Sequence, residues 1–141
     1  MHKKQTPRTV YAIAILTALT ITRAQAGLFL PTLEMFGGES ADAWLVPWIT
    51  DTLLGVLLPL MIYLILRGSG AKTWSLIIIY SVVGAFDYVH GLVAQWQHPL
   101  PEEMASSALV FGSLLASLSF QLIAILLLFN ANVISHYLKN E

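Results

Sequence analysis

Cysteine is absent from this chain, and charged side chains are scarce. Without cysteine in its 141 residues, the chain can form no disulfide, thiolate metal site or cysteine nucleophile. Charged residues make up 11% of the sequence, against roughly 25% in ordinary soluble domains. The formal net charge is -1, and the few basic residues form no patch of the kind that binds nucleic acid. The composition therefore argues against a soluble domain and against a nucleic-acid partner.

Apolar residues dominate the sequence. They account for 57% of the sequence, and the mean hydropathy is +0.73. A membrane-spanning helix needs about 20 mostly apolar residues, and short connections between such helices favour antiparallel neighbours. We therefore predict one transmembrane domain over residues 1–141, an all-α integral membrane protein folded as a four-helix antiparallel (up-down) bundle. The four predicted helices span residues 10–31, 44–66, 73–96 and 105–129.

The sparse charges are sorted by sign. Lysine and arginine precede the first apolar segment, separate the second from the third and follow the fourth. The other two connections contain aspartate or glutamate but no lysine or arginine. Lysine and arginine near the ends of spans favour the cytoplasmic side. This pattern predicts cytoplasmic N- and C-termini in the cell (inner or plasma) membrane, with the lipid bilayer as the principal partner. The basic residues outside the predicted spans are Lys3, Lys4, Arg8, Arg67, Lys72 and Lys139.

The N-terminal region also fits a second interpretation. Three basic residues precede the short apolar stretch Val10–Thr22, and Ala24-Gln25-Ala26 is typical of a signal-peptidase site. Cleavage there would remove residues 1–26 and leave three helices. Apolar character resumes at Gly27-Leu28-Phe29-Leu30, however, which extends the segment to the length of a full span. We favour the uncleaved helix.

Three charged residues fall inside predicted spans and at one depth. At a rise of about 1.5 Å per residue, Arg23, Asp51 and Asp87 each lie about 20 Å from the cytoplasmic boundary. A charge at the centre of a span costs roughly 2.5–3.5 kcal/mol on insertion scales, so such residues need partners. We therefore expect the three side chains to meet inside the bundle.

Glycines accompany these charges. Residues three or four apart share a helix face, and small residues let membrane helices approach closely. Glycine occurs at such spacings from Arg23, Asp51 and Asp87, and another lies at the same depth in the fourth segment. We predict that these glycines pack helices together: Gly27, Gly55, Gly84, Gly91 and Gly112.

The predicted cluster has one positive and two negative charges. Close carboxylates favour retention of one proton, and His90, three residues after Asp87, is near enough on the helix surface to take part in proton transfer. We therefore predict a ligand- or proton-binding site formed by Arg23, Asp51, Asp87 and His90. A single Asp87-x-x-His90 pair is too few ligands for a di-metal site, so we expect neither a metal nor a cofactor.

Three functions remain open. The leading hypothesis is an intramembrane polar site for a proton-coupled or polar-headed small molecule, serving transport or binding. The second is a non-catalytic accessory or assembly subunit whose polar cluster only holds helices together. The third is a membrane-embedded enzyme acting on a lipid, quinone or isoprenoid, with Asp87 or His90 as acid or base. No catalytic motif is present, so we favour a non-enzymatic role. Transport through four helices would need a homo-oligomer or a partner membrane protein.

Overall fold

A computed structural model describes residues 6–36 and 40–138. Helical conformation accounts for 88% of the structure, and no strand occurs within those ranges. Four helices are long and apolar enough to cross a membrane, so the predicted all-α class and the four long helices are confirmed. They are Arg8–Met35, Asp42–Arg67, Gly70–Gln97 and Ser107–Leu128.

The first of these, here called the first segment, changes its winding along its length. Helix α1 (Arg8–Ala18) runs into a seven-residue 3₁₀ stretch, Leu19–Gln25, where the β-branched run Thr20-Ile21-Thr22 disfavours the α form. The short turns α2 (Ala26–Phe29), 3₁₀ Leu30–Thr32 and α3 (Leu33–Phe36) follow. Runs of 3₁₀ helix longer than about 3–4 residues are uncommon, so this stretch is an unusual feature of the fold.

The 3₁₀ winding aligns the polar residues of the first segment. With three residues per turn, side chains at i and i+3 lie directly above one another. Thr17, Thr20 and Arg23 therefore form one row, and all three are buried. The Thr20 hydroxyl donates to the carbonyl of Thr17 at 2.7 Å, which satisfies that hydroxyl within the segment. The local winding thus turns Arg23 toward the bundle interior.

Three further long helices complete the bundle. Helix α4 (Asp42–Arg67) contains Pro47 and Pro59 and joins α5 (Gly70–Gln97) through a two-residue connection. Gly70 has a φ of 85°, a backbone conformation that glycine adopts without strain, and this allows the tight turn. Helix α6 (Ser107–Leu128) is capped at its N-terminus by Ser106, whose hydroxyl accepts from the Leu109 amide at 3.4 Å. It is followed by the short α7 (Ala131–Leu138).

The long helices pack in chain order, and the first segment also packs against α6, so the four form a closed ring. Two apolar cores fill the ring at different heights. The larger core includes Val10, Ile13, Leu54, Leu58, Met61, Ile65, Ile77, Ala124, Leu128, Val133 and Tyr137. The smaller core comprises Leu33, Trp44, Trp48, Ala94 and Leu100. Along each of the first three long helices, the predicted charged residue lies between its contributions to these two cores.

Four of the five glycines expected at helix contacts lie close to another helix. A Cβ added at Gly55 would lie 2.7 Å from the Cα of Ala24, and one at Gly27 would lie 3.0 Å from Cγ2 of Thr52. These two close approaches bring the first segment against α4. A Cβ at Gly84 would lie 2.9 Å from Nη1 of Arg23, so this glycine makes room for the guanidinium.

The last two glycines differ from each other. A Cβ at Gly91 would meet the Leu114 side chain of α6 at 3.2 Å. Gly112 is exposed, and nothing lies within 4 Å of the position its Cβ would take. Within the described residues, Gly112 therefore contacts no other helix, and its packing role stays a prediction. The buried face of α6 carries Ser117, Gln121, Ala124 and Leu128, and at about 100° per residue Gly112 points to the opposite side.

Candidate functional site

Arg23 reaches from the first segment across the ring to α5. Its side chain is fully buried, and its Nε donates to the hydroxyl of Tyr88 at 3.2 Å, while Nη2 donates to the carbonyl of Gly84 at 3.5 Å. Cζ lies 4.3 Å from the centroid of the Tyr88 ring, within the range of a cation–π contact. Arg23 therefore joins two helices that face each other across the ring.

Asp51 of α4 supplies the nearest negative charge. Its Oδ1 lies 3.2 Å from Nε of Arg23. Nε carries one hydrogen, and that hydrogen points to the Tyr88 hydroxyl, so the Asp51 contact is an ion pair without a hydrogen bond. Oδ1 has no hydrogen-bond donor among the described residues. Asp51 thus keeps an acceptor free beside the guanidinium.

Asp87 of α5 forms a pair with Asp51. Asp87 is 6% exposed and lies close to Asp51. The cluster thus combines two carboxyl groups with one guanidinium, so full ionisation would give it one excess negative charge.

The structure brings together Arg23, Asp51 and Asp87 but leaves His90 outside their cluster. On α5 the buried residues Gly84, Asp87, Tyr88 and Gly91 share one face, whereas His90 is exposed. At about 100° per residue, three positions beyond Asp87 lead round the helix away from the centre of that face. His90 instead borders Asp87 from outside, in a cleft of about 400 Å³ between α4 and α5, here called the His90 cleft.

Two residues of the interior were not predicted as site residues. Tyr88 receives the Arg23 hydrogen bond, and Gln121 of α6 is buried with neither amide atom hydrogen-bonded to a described residue. A Cβ added at Gly84 would lie 3.1 Å from Oε1 of Gln121 and 2.9 Å from Nη1 of Arg23. Nη1 also lacks a hydrogen-bond partner among the described residues. The spacing Gly84, Asp87, Tyr88, Gly91 was the available signal for Tyr88, since it is the repeat of one helix face.

A second cleft opens onto the charged residues between the first segment and α6. This cleft, called here the Arg23 cleft, has a volume of about 420 Å³ and is bordered by Arg23, Asp51 and Tyr88. Phe29 and Trp48 supply aromatic walls, and their ring centroids are 6.3 Å apart. The remaining lining is mainly apolar, with hydroxyls from Thr22, Ser113 and Ser117 and the amide of Gln25. Its size falls in the ordinary range for small-molecule sites, about 300–1,000 Å³.

The connection between α5 and α6 closes one end of the Arg23 cleft. Leu100, Met104 and Ala105 line it from this connection. The indole of Trp44 donates to the carbonyl of His98 at 2.8 Å, and Gln95 accepts from the Leu100 amide at 3.2 Å. These bonds hold the connection over the smaller apolar core.

Metal coordination has no support in the described part of the chain, where no three or more His, Asp or Glu side chains form a group that could hold a metal ion. The polar groups of the site are instead suited to hydrogen bonding, ion pairing and proton transfer. The chain matches no protein-family model, no curated protein and no solved structure. A functional assignment therefore depends on the site itself.

Proposed function

We propose that this chain is an integral protein of the cell membrane that binds or transports a polar-headed small molecule at the Arg23 cleft. Four helices of spanning length and many large apolar side chains on their outward faces support the membrane assignment. An up-down arrangement with both termini in the cytoplasm fits the distribution of Lys and Arg. In this arrangement the charged cluster lies within the hydrocarbon layer.

The observation that carries the binding proposal is a buried ion pair at the wall of a cleft. Buried ion pairs rarely increase stability over well-packed apolar residues, because desolvation offsets their attraction. Intramembrane ionisable groups commonly mark sites of binding or proton movement for the same reason. Arg23 and Asp51 border a cleft of about 420 Å³, and the partly exposed Asp51 can be reached from it without disrupting the bundle.

The exposure of the two partners indicates the kind of head group. The Asp51 side chain is 18% exposed, whereas that of Arg23 is 0% exposed. A ligand therefore meets the carboxylate before the guanidinium. Aromatic rings beside a carboxylate favour cations, and the apolar lining suits a hydrocarbon body. The ligand we propose has an amine or hydroxyl head and an apolar body.

A transport role adds a requirement. Four helices leave little room for a pathway across the bilayer, and the larger apolar core fills the ring on one side of the cluster. We therefore propose that transport, as distinct from binding, would involve a second copy or a partner membrane protein.

Three matched amphiphiles test the proposed ligand class: 4-phenylbutylamine, 4-phenylbutanol and 4-phenylbutyrate. The measurement is the thermal unfolding temperature of the detergent-solubilised protein over a series of concentrations of each compound, since a ligand that binds the native state raises it. The amine and the alcohol should stabilise the wild type more than the acid does. The Asp51→Asn variant should lose the preference for the amine, while Glu102→Gln in the α5–α6 connection should keep it. Equal effects of all three compounds on the wild type would contradict the proposal.

The accessory-subunit function has one observation in its favour. Arg23 contacts α4 through Asp51 and α5 through Tyr88 and Gly84, so it links three helices without any ligand. If this linkage is the whole role, Arg23→Met combined with Asp51→Asn should retain cellular activity and partner binding better than Arg23→Met alone, since the double variant leaves no unpaired buried charge.

A further inference from the structure

The Arg23 cleft widens toward a gap between the first segment and α6, bordered by Phe29 and Leu109 and here called the lateral gap. The α6 residues that line the cleft change from the buried Ser117 to the exposed Ser113 and Leu109. On the first segment, the lining changes from the buried Arg23 to the exposed Phe29. The charged end of the cleft is therefore its floor, and the exposed lining residues lie on either side of its opening.

Helix packing accounts for the lateral gap. Contacts between the first segment and α6 are concentrated in α1 and the 3₁₀ stretch, whereas α2 packs against α4 and against its own neighbours in the segment. Gly27 of α2 allows that packing, since a Cβ there would lie 3.0 Å from Cγ2 of Thr52. Beyond Gln25 the first segment therefore follows α4, and the cleft lies where the segment and α6 separate.

Other parts of the chain cover the two ends of the cleft. Leu100, in the connection between α5 and α6, lines one end. Toward the other end, the face of α6 that carries Ser117 continues with Gln121 and Ala124, and both are buried. Access to Asp51 therefore runs through the lateral gap. In the membrane orientation proposed above, this gap lies between two spanning helices, so it opens into the hydrocarbon layer rather than into water.

We infer that the ligand is a membrane lipid that enters sideways through the lateral gap, with an amine or hydroxyl head at Asp51 and its chain left in the bilayer. The inference rests on the proposed function, because it names the source of that ligand and its route. Charge complementarity favours the amine, since the partly exposed carboxylate of Asp51 is the charge that an entering head group meets first. Phe29 and Leu109 provide apolar contacts for the chain along this route.

The depth of Asp51 favours a small head group. Asp51 follows Trp44, the start of the second predicted span, by seven residues, which places it about 10 Å below the outer boundary of the membrane. A head group that reaches Asp51 therefore leaves the hydrated interface. Desolvating an ionised phosphate costs far more than desolvating a hydroxyl, and an amine gains the Asp51 charge in return. The proposed lipid is therefore not a phospholipid.

Photolabelling of the full-length protein in nanodiscs tests the lipid source. The probe is octadecylamine with a diazirine close to its head group, and tandem mass spectrometry locates the label. The measured quantity, called here the specific labelling, is the part that excess unlabelled octadecylamine suppresses. It should be about tenfold higher at the cleft lining around Ser113 than at Ile49, an exposed residue of α4 outside that lining, and should fall about tenfold in Asp51→Asn, the effect of losing about 1.4 kcal/mol of binding free energy.

Two serines of α6 provide a matched test of the route. Ser113 and Ser119 are both exposed, and their hydroxyls donate to carbonyls of their own helix at 2.9 and 2.8 Å. Ser113 lines the cleft, whereas Ser119 lies outside its lining. Ser113→Trp should obstruct the lateral gap and lower the specific labelling of the first segment about tenfold, while Ser119→Trp should keep the wild-type value. Without ligand, both variants should unfold at the wild-type temperature, because each new side chain is exposed.

The outcomes separate this inference from the proposed function. Specific labelling that is spread evenly over exposed apolar residues, or that is unchanged in Asp51→Asn or Ser113→Trp, would overturn the inference. If 4-phenylbutylamine still stabilises the wild type through Asp51 in that case, the proposed function stands and the ligand comes from water instead of the bilayer. Loss of both effects would overturn the proposed function as well.

Discussion

Replacing Arg23 by Met should destabilise the bundle, and adding Asp51→Asn should restore most of the lost free energy of unfolding. Arg23→Met leaves Asp51 without its ion-pair partner. In the wild type, Nε of Arg23 lies 3.2 Å from Oδ1 of Asp51, and the Arg23 side chain is 0% exposed. Removing one partner of a buried pair costs about 3–5 kcal/mol. The cation–π contact with Tyr88 adds about 1–2 kcal/mol. Protonation of Asp51 offsets part of this cost, so we expect a net loss of about 3 kcal/mol in the free energy of unfolding.

The double variant isolates the charge effect. Asp51→Asn removes the uncompensated carboxylate, so Arg23→Met/Asp51→Asn should be more stable than Arg23→Met alone by about 1–3 kcal/mol, a typical coupling for residues in contact. The assay is reversible unfolding in mixed micelles with a denaturing detergent, monitored by tryptophan fluorescence. Arg67→Met, at the exposed end of α4, is the matched control and should change stability by less than about 0.5 kcal/mol. An Arg23→Met variant as stable as this control would refute the energetic reasoning.

Three further predictions concern packing, amide burial and pH. Gly55→Ala should cost about 1–3 kcal/mol of unfolding free energy, because its Cβ would meet the Ala24 backbone at 2.7 Å, whereas Gly112→Ala, with nothing within 4 Å, should be neutral in the same micelle assay; equal effects would contradict the described packing. Gln121→Met should not lower stability, because it removes two buried amide atoms that lack partners among the described residues; a loss above about 2 kcal/mol would show that the amide is bonded. Burial raises the pKa of Tyr137 to about 12, so its contribution to stability should be constant below about pH 10 and fall as the pH rises toward about 12. The Tyr137 hydroxyl donates to the Ile65 carbonyl at 2.7 Å. Tyr137→Phe should therefore abolish that alkaline loss while costing about 1 kcal/mol at neutral pH through the loss of this hydrogen bond, and an unchanged pH profile would refute this assignment.

The long helices were predictable because hydropathy alone reports them. Each of the four apolar segments became a helix of spanning length; the first three extend beyond the predicted bounds by a few residues at both ends, whereas the fourth is slightly shorter than predicted. Arg8 and Arg67 lie inside helices whose apolar segments were predicted to begin at residue 10 and to end at residue 66. Hydropathy locates the apolar part of a helix, while hydrogen bonding sets its ends.

Counting depth along the chain predicted that Arg23, Asp51 and Asp87 lie in one layer, and Arg23 does contact Asp51. That count assumed an α-helical rise throughout, yet Leu19–Gln25 is 3₁₀ helix. The difference, about 0.5 Å per residue, shifts Arg23 by only about 2 Å along the axis. This is less than one helical turn, so Arg23 still reaches Asp51.

Direction around a helix was harder to predict than depth. His90 is three residues from Asp87 and Gly112 lies at the right height, but both are exposed. Proximity in sequence did not show which side of Asp87 faced the bundle, and small size did not show that Gly112 faced a neighbour. Tyr88 was missed for the converse reason, since an amphipathic ring suits an interface as well as an interior.

Native mass spectrometry of the gently purified protein tests the central claim most directly. We predict a chain that retains Arg23 and carries a bound amphiphile with an amine or hydroxyl head group in the wild type and in Glu102→Gln, but not in Asp51→Asn. A wild-type chain without a bound species, or one whose bound species is unchanged in Asp51→Asn, would contradict binding at the Arg23 cleft and leave the charged cluster a structural link between helices.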